Sequence, residues 1–246
     1  MNKREKIIQL IKQDKSINHI SRTLEVGKST IYYHYKKIKG RKIKEVKING
    51  TDDMIGEFIG LFAGDGCFYK AKNYLYRIYL IFNITEKNFV LETKDLLTKL
   101  FDKSPSMYRS LNTLILLYRS RDIFDFIMSY LQWSPYKRKA HTICLRNHNH
   151  SRAFKIGFLR GNVDSDGHIS KNVISFASSS PYLIDDIRKF LSDLNIQHKY
   201  REYEERRTNR VNMHHVRILK EDRTKFMLLI KPRELKNLKK YAPAGI

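Results

Sequence analysis

The sequence predicts an α+β protein of two pseudo-symmetric αββαββα halves, preceded by a small all-α domain. Three observations carry that expectation. A glycine-aspartate motif occurs twice, in IGEFIGLFAGDGCF (55–68) and KIGFLRGNVDSDGHI (155–169), with Gly56 and Gly157, Gly60 and Gly161, Asp65 and Asp166, and Gly66 and Gly167 each 101 positions apart. In a chain with only 11 glycines, four matches in one register set a duplication apart from coincidence. After each copy the chain runs through the same succession of strand-like alternation and helical periodicity, whereas the first forty residues show helical spacing alone.

Taken in order, residues 1–40 read as three short helices. Ile7, Ile8 and Ile11 share one face of the first; Ser16 caps a second, whose apolar side is Ile17, Ile20 and Leu24. Gly27 is expected to set a tight turn before a third helix, with Ile31 and Tyr35 facing inward. The run ISRTLEVGKSTIYYHYKK resembles the helix-turn-helix of resolvases and many small regulators. In that arrangement Lys28, Ser29, Thr30, Tyr33 and His34 face a major groove and its phosphates. Residues 41–52 hold no sustained apolar period and read as a basic linker.

Each half then reads as helix, two strands, helix, two strands, helix. In the first half (53–131) the runs CFYKAKN and YLYRIYLIFNIT alternate as strands, KNFVLETKDLLTKLF is an amphipathic helix, MYRSLN and TLILLYRS are strands and DIFDFIMSYL is a helix. The second half (153–231) repeats this with GHISKN, VISFASS, PYLIDDIRKFLSDL, QHKYREYEE, VNMHHVRIL and EDRTKFMLLI. Residues 132–152 connect the halves and 232–246 form a tail. The string His148-Asn149-His150 lacks the dispersed ββα context of a metal site, and His141, Cys144, His148 and His150 are too tightly spaced, with no flanking hairpin, for zinc. The connector is read as basic packing material, with Trp133 and Tyr136 packing it.

Composition bounds the function. Of 246 residues, 48 are Lys or Arg and 25 Asp or Glu, a net charge of +23, with a pI near 9.9. A polyanionic partner follows, since each phosphate contact releases condensed counterions. Aromatics at 12% interleave with the basic residues, which excludes bulk disorder and favours nucleic acid over acidic lipid. No run approaches the roughly 18 uncharged apolar residues of a membrane span. MNKREKIIQLIKQDKS lacks the form of a secretory signal. Cys67 and Cys144 are too few for a disulfide framework. An intracellular setting, cytoplasm or nucleoid, is expected.

In each motif the Gly-x-x-x-Gly spacing puts Gly56 and Gly60, or Gly157 and Gly161, on one helix face, which allows two helices to pack backbone to backbone. Each helix ends at an Asp followed by Gly. Asp65 and Asp166 are therefore expected side by side at the foot of the pair, where two carboxylates call for a hard divalent cation.

FIGLFAGDG (58–66) and LRGNVDSDG (159–167) resemble the signature nonapeptide of the LAGLIDADG homing endonucleases, present twice as in the single-chain members, over about residues 53–231. The resemblance implies sheets that form a saddle over the major groove of double-stranded DNA with a long specific site. It also implies that Asp65 and Asp166, with the backbone carbonyls of Gly64 and Ser165, bind Mg²⁺ or Mn²⁺, and that one phosphodiester is hydrolysed on each strand. A basic residue near the end of the fourth strand of each half is implied as a catalytic partner: Arg119 or Arg121 in one, Arg217 or Lys220 in the other, with Arg119 and Lys220 taken first. Ala63 stands where the second motif has Asp164, and Asn162 where the first has Leu61. One chain supplies both halves, so a monomer is expected. Relatives on the same fold include non-cleaving transcription regulators and intron RNA maturases, which remain the alternatives.

Strand YLYRIYLIFNI alternates, with Tyr74, Tyr76, Ile78, Leu80, Phe82 and Ile84 on the helix side and Arg77 and Asn83 facing DNA. Lys70, Lys72, Lys171, Lys199, Arg201, Arg206, Arg207, Arg210 and Arg217 complete the expected DNA-contacting set near strand and hairpin ends.

Overall fold

Three helices, α1 (Lys3–Lys12), α2 (Ile17–Leu24) and α3 (Lys28–Lys39), make the first unit of the computed structural model, which describes residues 2–40, 46–70, 76–204 and 211–233. Asn2 and Glu5 form a capping box at the start of α1, and the Ser16 hydroxyl accepts from the His19 N–H at the start of α2. Ile7, Ile11, Ile20 and Ile31 form the core of this unit, with Leu10, Ile17, Leu24, Val26 and Tyr35 packed around them. The turn between α2 and α3 ends at Gly27, and α3 starts at Lys28. Glu25 takes the left-handed conformation, φ 53°, that ends α2, while Gly27, at φ −56°, is the N-cap of α3. Lys28, Ser29, Thr30 and Tyr33 are exposed and His34 is partly so.

The second unit, from Val46 onward, begins with α4 (Asp52–Gly64), which passes through Asp65 into β1 (Gly66–Lys70) and β2 (Tyr76–Asn83). Helix α5 (Lys87–Phe101), strands β3 (Ser106–Ser110) and β4 (Thr113–Arg119) and helix α6 (Arg121–Tyr130) complete the first half. The connector holds β5 (Leu131–Gln132), α7 (Lys139–Thr142) and β6 (Cys144–Leu145). The second half follows as α8 (Arg152–Ser165), β7 (His168–Ser170), β8 (Val173–Ser178), α9 (Pro181–Asp193), β9 (His198–Tyr203), β10 (Met213–Ile218) and α10 (Arg223–Ile230). The two antiparallel sheets have the same topology, β1-β2-β4-β3 and β7-β8-β10-β9. Mixed helix and antiparallel sheet in two matching halves is the α+β architecture expected from the repeat.

In β2, Tyr76, Ile78, Leu80 and Phe82 are buried against the helices, and Arg77, Tyr79, Ile81 and Asn83 point to the other side. Tyr74 lies outside the described residues. A single hydrophobic core runs through both halves, from Phe58, Phe62 and Phe101 to Phe158, Phe176, Phe190 and Phe226. In the connector, Trp133 packs on Phe68 with ring centroids 5.5 Å apart. Tyr136 does not pack there; it sits in the turn at 135–136 and is 95% exposed.

Helices α4 and α8 run parallel and touch backbone to backbone. A Cβ added at Gly56 would collide with the Phe154 carbonyl oxygen and lie 2.9 Å from the Phe158 nitrogen; one at Gly60 would strike the Phe158 carbonyl and lie 2.9 Å from the Asn162 nitrogen. Gly157 and Gly161 are hemmed in the same way by the carbonyls of Asp53 and Glu57. Helix propensity therefore predicts the wrong sign for substitution here. In an exposed helix Gly→Ala adds about 1 kcal/mol of stability, whereas Gly60→Ala must push two backbones apart and should cost roughly 3 kcal/mol. Urea unfolding followed by the fluorescence of Trp133, the sole tryptophan, checks this; a midpoint equal to or above that of the unsubstituted protein would refute it.

Candidate functional site

The parallel packing brings the C-terminal ends of α4 and α8 together. A Cβ at Gly64 would lie 2.8 Å from the Ser165 Cβ and 3.0 Å from an Asp166 carboxylate oxygen, so the two motif ends are in contact. Asp65 and Asp166 are the C-cap residues of these helices. A third charged group joins them. Lys139 Nζ, from α7 of the connector, donates to the carbonyl oxygens of Phe62 (2.7 Å), Ala63 (3.1 Å), Gly64 (3.4 Å) and Gly66 (2.5 Å). It thereby meets the carbonyls of the last turn of α4 and of the first residue of β1, at a helix end where the dipole favours a cation.

Burial pushes the Lys139 ammonium down to about 8, against the opposing pull of the Asp166, Cys67 and Asp65 charges. Asp166 keeps an open edge to solvent, yet the packed helix ends strip water from its carboxyl and raise its pKa, a shift that Lys139 opposes. Both motif carboxylates thus act on one lysine. The sequence gives no local sign of this residue, because Lys139 sits in PYKRKAH beside Lys137 and Arg138 and only the returning chain singles it out.

The site's remaining donors are oxygens: two carboxylates and the carbonyls of Gly64 and Ser165. That set suits a hard divalent cation such as Mg²⁺ or Mn²⁺ rather than a soft metal. No group of three or more His, Cys, Asp or Glu residues is placed for metal binding among the described residues. The connector histidines have other uses: His148 Nε2 pairs with Asp186 Oδ1 at 2.6 Å, and the His150 ring stacks on Phe154 at 4.0 Å.

The flank of the helix pair carries a buried ionic cluster. Arg160 Nη1 donates to Asp53 and Glu57, both at 2.8 Å, and its Nε donates to the Ile230 carbonyl at 2.7 Å. Arg233 Nε reaches Glu57 at 2.6 Å, and its backbone N–H donates to the Asp164 carboxylate at 3.0 Å. Asp164 therefore anchors the chain that leaves α10, a task that Ala63 does not perform in the first motif. Nothing in the structure explains Asn162, whose buried Nδ2 has no hydrogen-bond partner among the described residues.

The sheet faces turned away from the helices carry the other expected residues. Strand alternation and register put Lys199, Arg201, His215 and Arg217 on one such face, around a cavity of about 400 Å³ that Tyr203, Lys220 and Arg223 also line. Arg77 stands opposite Arg119 on the other sheet, and Asn83 is exposed at the end of β2. Lys70 instead lies on the helix side, with its ammonium 5.5 Å from the Tyr76 ring centroid. Lys171 is exposed in the β7–β8 turn. Neither Arg119 nor Lys220 is among the charges that act on Asp166 or Lys139. Lys72, Arg206, Arg207 and Arg210 lie outside the described residues.

Residues 153–231 match a family model described as a LAGLIDADG-like domain. Among solved structures, a mesophilic variant of the homing endonuclease I-DmoI superposes with a TM-score of 0.59 at 14% identity, covering 74% of this chain and 98% of its own. I-DmoI in complex with DNA and Ca gives 0.59 at 15% identity, with 73% and 89% covered. The homing endonuclease I-WcaI bound to its DNA recognition sequence gives 0.50 at 13%, with 90% and 97% covered. At these identities the likeness is one of fold, and it extends the LAGLIDADG architecture over both halves. No curated protein matches the chain by sequence. No helix among the described residues is long and apolar enough to cross a membrane.

The connector that presents Lys139 to the end of α4 is pinned by α9 and its N-cap. Asp186 Oδ2 accepts from the Leu145 N–H at 2.7 Å, and Ser180 Oγ donates to the Ile143 carbonyl at 2.7 Å. Burial pushes the Asp186 carboxyl up to about 6, against the opposing effects of the Leu145 N–H and His148. An unfolded Asp titrates near pH ~4, so the folded protein holds more protons between about pH 4 and 6 and stability falls as pH rises through that window. The contribution, about 3 kcal/mol, is complete below ~4 and gone above ~6. Asp186→Asn should flatten the decline. Trp133-monitored urea midpoints at three pH values across the window test this, and equal slopes in the two proteins would refute it.

Proposed function

We propose that this chain is a site-specific double-strand DNA endonuclease that uses a divalent cation, Mg²⁺ or Mn²⁺, and hydrolyses one phosphodiester on each strand. The observation that carries the reading is the meeting of two motif ends, each closing in an Asp, around the buried ammonium of Lys139. A seam built only for packing has no use for two carboxylates and a buried lysine, since each buried charge costs desolvation. The net charge of +23 and the basic sheet face supply the matching attraction for duplex DNA.

In this reading Asp65 and Asp166, with the carbonyls of Gly64 and Ser165, hold the cation. When bound, the cation would polarise the scissile phosphate and offset charge as it builds on the non-bridging oxygens. Asp166 and Asp65 fix the position of the cleavage centre relative to both sheets, because each follows directly from a glycine-packed helix. Lys139 holds its ammonium protons against the end of α4 and sets positive charge beside the phosphate, where developing negative charge is stabilised. Basic residues on the sheets contact phosphates and base edges, and α3 of the first unit adds a further groove contact, so that linkage raises affinity without a part in the chemistry. The domains, site residues and monomeric state expected from the sequence belong to this proposal.

Incubation of the full chain with Mg²⁺ and a library of random duplexes tests it. Discrete cuts on both strands at one sequence are the expected result, whereas duplexes that are bound but intact would favour a regulator on the same fold. Tighter binding to folded intron RNA than to any duplex would favour a maturase. Asp65→Asn, Asp166→Asn and Lys139→Met should each lower the cleavage rate by about 10²-fold or more while the Kd for the site changes by less than about threefold. A variant that cuts at the unsubstituted rate removes its residue from the mechanism.

A further inference from the structure

We infer that the two halves read half-sites of opposite base composition: the first sheet takes A·T pairs through apolar and aromatic side chains, and the second takes G·C pairs through basic ones. The inference rests on the proposed DNA-binding role of the sheets and deepens it. The two sheets have one topology, and the duplication aligns their cross-strand rows. In the first sheet one row on the face away from the helices is Cys67, Tyr79, Leu117 and Ser106; the matching row of the second is His168, Ser175, Arg217 and Lys199. The next row is Ile81, Ile115 and Tyr108 in the first sheet and Ala177, His215 and Arg201 in the second.

At four matching positions, then, Ser106 stands for Lys199, Tyr108 for Arg201, Ile115 for His215 and Leu117 for Arg217. These are differences in chemistry rather than size alone. Arginine forks meet the O6 and N7 acceptors of guanine, and lysine reaches the same pair, whereas only thymine offers the groove a methyl group to an apolar side chain. The first sheet is open to a partner at Tyr108, which is 42% exposed, Ile81 at 38% and Tyr69 at 56%, whereas Ile115 and Leu117 lie buried beneath them and offer no charge to the groove. Its occupant is the same polyanion that the basic face attracts. At its margin Arg77 stands opposite Arg119 on the neighbouring strand, two like charges that an anion would bridge, and Arg77 Nε has no hydrogen-bond partner among the described residues. These arginines lie at the end of the rows, where a backbone phosphate rather than a base edge would meet them.

Selection of the full chain, with EDTA present so that sites stay intact, from a random-sequence duplex library reads out both halves. The expected site has a G·C-rich side and an A·T-rich side. Arg217→Gln and Arg201→Gln should relax G·C preference on one side only, by about tenfold or more at the base pair concerned. Tyr108→Arg, which gives the first sheet the side chain found at the matching position of the second, should introduce G·C preference on the opposite side. Sites with equal G·C content on both sides, or arginine variants that leave every base preference unchanged, would overturn the inference while leaving DNA recognition in place. Failure to enrich any duplex sequence would overturn the proposed function, and this inference with it.

Discussion

Two helices that approach until main chain touches main chain leave no room for a side chain between them, and the rest of the molecule is arranged around that contact. Where Gly56, Gly60, Gly157 and Gly161 lie, a single methyl group would strike a carbonyl oxygen of the facing helix. The contact sets the register of α4 against α8, and each helix leads through one Asp directly into the first strand of its sheet. Position at the seam therefore becomes position at the paired motif carboxylates and on both sheet faces, since each helix passes through a single Asp into a strand. Backbone contact also excludes the rotameric adjustment through which ordinary side-chain packing absorbs small errors.

At the foot of the pair the electrostatics follow from the same geometry. The last turn of α4 ends in carbonyls without helical partners, and a parallel neighbour sets a second such end and a second carboxylate alongside. The group that answers this is borrowed from the connector, whose Lys139 meets four carbonyls. Burial weakens the ammonium's hold on its proton and the two Asp charges strengthen it, and burial dominates.

Much of this was written in periodicities short enough to read directly. The glycine spacing gave the seam, the offset of 101 residues gave the duplication, and the alternation of Tyr76, Ile78, Leu80 and Phe82 separated the two faces of β2. Sequence spacing failed where the chain closes on itself over long distances. Lys139 reaches a helix end 75 residues away, and Asp186 holds a backbone N–H 41 residues distant. The turn before α3 falls where Gly27 marks it, but the left-handed residue that ends α2 is Glu25, which carries no sequence signal for that conformation. Lys70 follows the period-two rule, which puts it on the side of Phe68 rather than of Tyr69, and its charge alone suggested the groove.

The ionic cluster on the flank of the helix pair breaks the duplication that the glycines obey. Arg160 belongs to α8 and its partners Asp53 and Glu57 to α4; the residues at the equivalent positions are Ile59, Phe154 and Phe158. Two first halves from separate chains would enclose Glu57 with no cation, and two second halves would leave Arg160 facing phenylalanine. Glycine complementarity by itself cannot tell a proper mate from a copy of itself, but this mismatch of acid and base can. Each half is thereby directed to its tethered sibling instead of to a stranger carrying the same motif.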